Sequence, residues 1–189
     1  MKSRTVPFWN LPNALTVLRI AAIPVIIVLM TFPGRLASFL AAVTFLAAGM
    51  TDLLDGFLAR RQRQVTRAGK FMDPLADKLL VSAALIMLIP LGRVEAWLVF
   101  IIIGRELAVT GLRAIAAAEG LVIAADRWGK LKTILQMSAL FALILHYPYA
   151  AIEFQKIGTV LLYIAAIVTV ASGCSYYVTF FHPTSSTPA

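Results

Sequence analysis

Six long apolar runs joined by short polar links constrain this chain more than any other feature of its sequence. They are Ala14–Phe32, Leu36–Ala59, Met72–Leu91, Ala96–Ala118, Leu131–Tyr147 and Ile157–Phe181. A run of about 20 apolar residues is long enough to cross a bilayer as a helix. The composition agrees, with 60% hydrophobic and only 14% charged residues, a balance foreign to soluble domains. The expected fold is therefore all-α integral membrane, with six transmembrane helices over residues 14–182. Residues 1–13, with Phe8, Trp9 and Leu11, read as a short segment lying at the membrane interface. Residues 183–189 read as a disordered Ser/Thr/Pro-rich tail. Within 189 residues no space remains for a soluble domain, and no internal repeat is visible.

The first run could pass for a signal peptide, with Lys2 and Arg4 as its basic flank. It is long for that role and carries Arg19 inside, so a retained helix is expected. The net charge of +8 belongs to the loops. Lys2, Arg4, Arg60, Arg61, Arg63, Arg67, Lys70, Arg127, Lys130 and Lys132 fall on one side, and Arg35, Arg93 and Lys156 on the other. The positive-inside rule then places both termini and the first side's loops in the cytoplasm. Charges spread in this way exclude a nucleic-acid-binding face. Cys174, in the sixth run, is the single cysteine, which excludes an intrachain disulfide and suggests a packing residue. His146 and His182 lie at span ends and read as interfacial residues.

One stretch breaks the apolar pattern. Asp52, Asp55, Asp73 and Asp77 are four of only nine acidic residues, and they lie within 26 positions. An unpaired carboxylate in hydrocarbon is expensive, so four of them require cations. Asp52, Asp55, Gly56 and Ala59 stand at i, i+3, i+4 and i+7, one face of a helix carrying two acids beside two very small residues. Asp73 and Asp77 also share a face, with Gly69 one turn earlier. Pro74 suits a first helical turn, which predicts a helix starting near Asp73. Carboxylates without His or Cys suit hard divalent ions, Mg²⁺ first and Mn²⁺ or Ca²⁺ next. A pair of such ions about 3.5–4 Å apart suits displacement at phosphorus.

The complete pattern is Asp52, Asp55-Gly56, Ala59-Arg60, Gly69, Asp73 and Asp77. It resembles the signature of the CDP-alcohol phosphatidyltransferases, without departure from it. That resemblance implies that Asp52, Asp55, Asp73 and Asp77 hold two Mg²⁺ ions, with Mn²⁺ possible, and that Asp77 doubles as general base. It implies a cytidine diphosphate seat formed by Asp52, Asp55, Gly56, Ala59, Arg60 and Gly69. It also implies a six-helix domain in a bacterial cytoplasmic membrane, usually paired as a homodimer.

A second polar cluster interrupts the fourth run: Gly104-Arg105-Glu106, then Thr110-Gly111-Leu112-Arg113. Glu106, Thr110 and Arg113 share a helix face. Intramembrane ionisable groups face a bundle interior or a watery cavity. Two readings stay open: an Arg–Glu pair fixing helix register, or an acceptor pocket. Trp128-Gly129-Lys130-Leu131-Lys132-Thr133 opens the fifth run. It is either a positive-inside flank or an anion site of charge, hydroxyl and helix N-terminus. Together with Asn10–Arg19, these stretches resemble one branch of the same family, over about Asn10 to Gln136. That branch moves the phosphatidyl group of CDP-diacylglycerol to sn-glycerol 3-phosphate and releases CMP. The implied acceptor-phosphate ligands are Arg113, Lys130 and Lys132, with Arg105 and Thr110.

No Ser–His or Cys–His pairing is visible, so a direct displacement is expected, with Asp77 taking a proton from the acceptor hydroxyl. The alternatives are the same transfer to inositol phosphate, serine or a lipid, and a divalent-cation transporter. Transporters tend to show repeats and acids distributed over several spans. Here the acids cluster around one basic loop.

Overall fold

The computed structural model describes the backbone of residues 11–62, 67–118 and 127–181. It describes the side chains of these residues except 11–12, 52–62, 67–71, 127–128, 130, 175 and 178–181. The expected interfacial segment, apart from its last residues, and the expected tail with His182 lie outside the described residues. The six apolar runs become six helices: α1 (Leu11–Thr31), α2 (Arg35–Gln62), α3 (Arg67–Leu88), α4 (Ala96–Ala118), α5 (Arg127–Leu145) and α6 (Phe154–Phe181). Among the described residues the only β-type pairing is an isolated bridge between Tyr149 and Ile152. Asn13–Thr31 and Phe154–Cys174 are long and apolar enough to cross a membrane, whereas the apolar stretches Arg35–Thr51 and Leu131–Leu145 are shorter.

The expected start of α3 near Asp73 is corrected by the structure. The helix begins at Arg67, and Pro74 lies inside it. A proline removes one i→i−4 hydrogen bond, from the carbonyl of Lys70, and bends the helix without ending it when neighbouring packing holds both sides. Asp73 and Asp77 therefore sit within a continuous helix.

The helices form one bundle. α1 lies along α2 and α3, α5 lies along α6 and α2, and α4 rests mainly on α6 with lighter contact to α3. The shared core takes Ile26 and Met30 from α1, Ala41, Ala42 and Phe45 from α2, and Leu80, Ala84 and Leu85 from α3. It continues through Ile102 of α4, Leu140, Leu143 and Ile144 of α5, and Leu162 and Ala166 of α6. Lipid tails are as apolar as leucine, so helix association there depends on close packing and small residues. Gly158 shows this between α5 and α6. A Cβ there would stand 2.7 Å from Leu143 Cγ and 2.9 Å from Leu143 N, so these two backbones meet almost directly. Leu36, Phe100, Leu107, Ile134 and Ile167 are exposed on the outside. Cys174 is exposed on α6, not packed as the sequence suggested, because its position faces away from the bundle.

The end of the bundle away from the acidic motif is closed by backbone-directed bonds. Gly92, at φ 66°, ends α3 with Gly92 N–H donating to Ile89 O at 2.9 Å and Arg93 N–H to Leu88 O at 3.1 Å. Arg93 then donates to the last carbonyls of α5, Leu143 O at 3.1 Å and Ile144 O at 3.0 Å. Burial lowers the pKa of Arg93, and the nearby Tyr147 partly offsets this. Gln155 donates to Arg93 O at 3.2 Å and pairs with His146 Nδ1 at 3.0 Å.

Candidate active site

The polar end starts with a face of α1 that should not exist in a lipid-facing helix. Asn13, Thr16 and Arg19, spaced i, i+3 and i+6, are only 2, 0 and 1% exposed. Thr16 Oγ1 donates to Asp73 Oδ1 at 2.5 Å. Arg19 donates through Nε to Ala48 O at 3.1 Å and to Thr51 Oγ1 at 3.4 Å. Thr51 in turn donates to Ala48 O at 2.6 Å. α1 thus holds α3 at Asp73 and holds α2 one residue before Asp52. None of these three α1 residues stood among the expected site residues. Their signal was present: polar residues at helical spacing inside an otherwise apolar run.

Beside this brace lies a half-open pocket between α3, α4 and α5. It is lined by Asp77, Lys78, Ser82, Glu106, Lys132, Thr133 and Gln136, with Val81, Leu85, Ile102, Ile103 and Met137 as apolar wall. Lys132 is 6% exposed and forms an ion pair with Glu106. A buried ammonium needs such a partner. Glu106 also accepts from Arg105 Nη1 at 3.3 Å. Arg105 itself turns toward α6, donating to Thr169 O at 3.0 Å and Ser172 Oγ at 2.5 Å, with its guanidinium over Tyr176. It does not line the pocket. Lys78 Nζ donates to Thr110 Oγ1, and Thr110 donates to the backbone oxygen of Glu106 at 2.6 Å. Arg113 is exposed and lies outside the pocket lining.

Of the residues singled out by sequence, Asp77 and Lys132 therefore line one pocket, and Asp73 stands one turn before Asp77 under Thr16. Asp52, Asp55, Gly56, Ala59 and Arg60 belong to α2, Gly69 to α3 and Lys130 to α5, but their side chains lie outside the described residues. Lys78, Ser82 and Gln136 are pocket residues that sequence reading passed over. No cluster of three or more metal-ligating side chains occurs among the described residues. Asp73 and Asp77 alone form an oxygen-only pair on one helix face with no His or Cys in the pocket lining, which fits a hard divalent ion.

A bundle of six helices, Asp73 braced from α1, and a pocket lined by Asp77, Glu106, Lys78 and Lys132 gather the charged groups at one end of an otherwise apolar bundle. Residues 9–171 match the family model of the CDP-alcohol phosphatidyltransferases, and the chain belongs to that family. Among its relatives, a Bacillus subtilis protein is 45% identical over 182 residues, covering 89% of this chain and 94% of its own. A Rickettsia typhi protein is 44% identical over 169 residues, covering 89% and 95%. One from Haemophilus influenzae is 38% identical over 174 residues, covering 89% and 91%. All three are named CDP-diacylglycerol–glycerol-3-phosphate 3-phosphatidyltransferase.

Proposed function

We propose that this chain transfers the phosphatidyl group of CDP-diacylglycerol to sn-glycerol 3-phosphate, giving phosphatidylglycerophosphate and CMP. One observation carries the reading beyond the relatives' names: Asp77, the last acid of the motif, opens onto a pocket whose buried cation is Lys132. A base and a fixed positive charge in one pocket suit an acceptor that carries both a hydroxyl and a phosphate.

Asp52, Asp55, Asp73 and Asp77 would hold two divalent ions, Mg²⁺ foremost. When bound, these supply charge neutralisation on the diphosphate. Thr16 fixes one oxygen of Asp73 and leaves the other for a ligand. Gly56, Ala59, Arg60 and Gly69 would seat the cytidine diphosphate, with the acyl chains left in lipid. Asp77 accepts the proton of the acceptor's primary hydroxyl, and that oxygen attacks the lipid-side phosphorus as CMP departs. Lys132, with Lys130 and Arg113, would hold the acceptor phosphate, and Glu106 pairs with Lys132 and holds it in place. The protein would cross the bacterial cytoplasmic membrane six times with this end in the cytoplasm. It would pair as a homodimer.

The test is an acceptor screen with purified protein in detergent, labelled CDP-diacylglycerol and Mg²⁺. CMP release and a labelled lipid product are expected with glycerol 3-phosphate, weakly with glycerol, and with neither in excess EDTA. Equal use of glycerol, serine or inositol phosphate would reassign the acceptor. No CMP release in a system without compartments would favour transport over catalysis.

A further inference from the structure

Gln136 is 4% exposed, lines the pocket, and its Nε2 has no hydrogen-bond partner. An amide donor buried without a partner is costly, and native proteins keep few of them. Gln136 lies one helical turn beyond Lys132 on the same face of α5. Lys132 and Thr133 therefore stand nearer the helix start and Gln136 deeper, beside Met137 and across from Asp77 and Ser82. The cations of the pocket are already engaged, Lys132 with Glu106 and Lys78 with Thr110. Among the described residues the amide is the one buried donor in the pocket lining left without a partner.

We propose that Gln136 reads the secondary hydroxyl of a short polyol phosphate, donating its amide N–H to that oxygen while Asp77 engages the neighbouring primary hydroxyl. This deepens the functional reading above and rests on it. A phosphate held at Lys132 and a reacting hydroxyl at Asp77 leave the middle carbon of a three-carbon acceptor between them, at the depth of Gln136. The diphosphate of the lipid donor is an alternative oxygen source, and the two are separable. A hydroxyl reader changes the acceptor's kinetics, whereas a diphosphate ligand changes those of the CDP-lipid.

The experiment compares glycerol 3-phosphate with 3-hydroxypropyl phosphate, which keeps the phosphate and the primary hydroxyl but lacks the secondary one. Wild-type protein should favour glycerol 3-phosphate by about 10- to 100-fold in kcat/KM, the scale set by leaving a buried polar group unpaired. Gln136→Met should bring that ratio close to one, by slowing only the hydroxylated acceptor, with the KM for CDP-diacylglycerol unchanged. Thr44→Val, on α2 and outside the pocket lining, should keep the wild-type ratio. If Gln136→Met fails to fold, Gln136→Leu, which likewise has no donor or acceptor, is read in the same way. A wild-type ratio near one, a Gln136→Met ratio equal to wild type, or a changed KM for the CDP-lipid alone would overturn the proposal. Turnover of neither acceptor by wild-type protein would instead overturn the functional reading, and that result is distinct from equal turnover of both.

Discussion

The two ends of the bundle bury similar polar residues for different ends. At one end Arg93 donates to Leu143 O and Ile144 O, and Gln155 donates to Arg93 O. These donors of Arg93 and Gln155 finish on backbone, and the result is a closed cap on α5. At the other end Thr16 finishes on the carboxylate of Asp73, Lys132 on the carboxylate of Glu106, and the amide of Gln136 on nothing. Buried polar groups that saturate helix termini hold a fold. Buried polar groups that meet side chains around an opening, with a donor to spare, are arranged for something that is not yet there. The buried Arg19 and the half-buried Arg93 divide this way too. Arg93 closes a helix end, whereas Arg19 braces α2 beside its acidic motif.

The largest effect that could break this contrast is at Asp77. Asp77→Asn should fold, with a thermal midpoint near that of wild type, and lose at least about 10²-fold in rate, the usual scale for a general base. Binding of CDP-diacylglycerol is measured separately, because the same carboxylate is proposed to hold metal. A near-normal rate would remove Asp77 from the role of base and leave the pocket without its chemistry.

A sharper version uses the two cations that share Glu106. Lys132→Met removes the charge that faces the pocket and should raise the KM for glycerol 3-phosphate by roughly 10- to 100-fold, the worth of one charge-assisted contact of about 1.5–3 kcal/mol. Arg105→Met removes the charge that faces α6, where it meets Thr169 O and Ser172 Oγ. It should lower thermal stability and leave the acceptor KM within about threefold, the small change expected where no contact to ligand is lost. Equal effects on acceptor KM from both would show that Glu106 is a single electrostatic unit and that the side facing the pocket has no special standing.

Hydropathy made the helices legible because each apolar run is long and the links between them are short. Asp77 was legible as a pocket residue because a carboxylate in apolar surroundings demands a reason. The start of α3 was not, since Pro74 carries a local preference for a first turn that the packed helix overrides. The bond from Thr16 to Asp73 spans 57 residues, and no local pattern says which helix faces will meet. Glu106 was legible as a charged residue in need of a partner. That Arg105 would turn to α6 while Lys132 came across from α5 depends on helix rotation, which spacing along one chain does not reveal. Gln136 was the least legible of all. One amide in an apolar helix has no period, and it becomes informative only when its surroundings leave its N–H unpaired.

The smallest effect on activity should come from the closed end. Arg93→Met keeps length and apolar stem and removes the donors to Leu143 O and Ile144 O. The two carbonyls then lose a cationic donor at a partly buried helix terminus, a change worth about 1.5–3 kcal/mol. In a chain of this size that is a fall of about 3–10 °C in thermal midpoint. Arg93→Lys keeps the charge but loses the planar fork that reaches two carbonyls at once, so it should recover only part of the loss. At a temperature where each variant remains folded, the KM values for both substrates should match wild type, because nothing from Arg93 reaches the pocket lined by Asp77 and Gln136. A change in acceptor KM without a change in stability would mean that the cap on α5 sets the position of Lys132 and Gln136 further along the same helix, and the two ends of the bundle would have to be treated as one device.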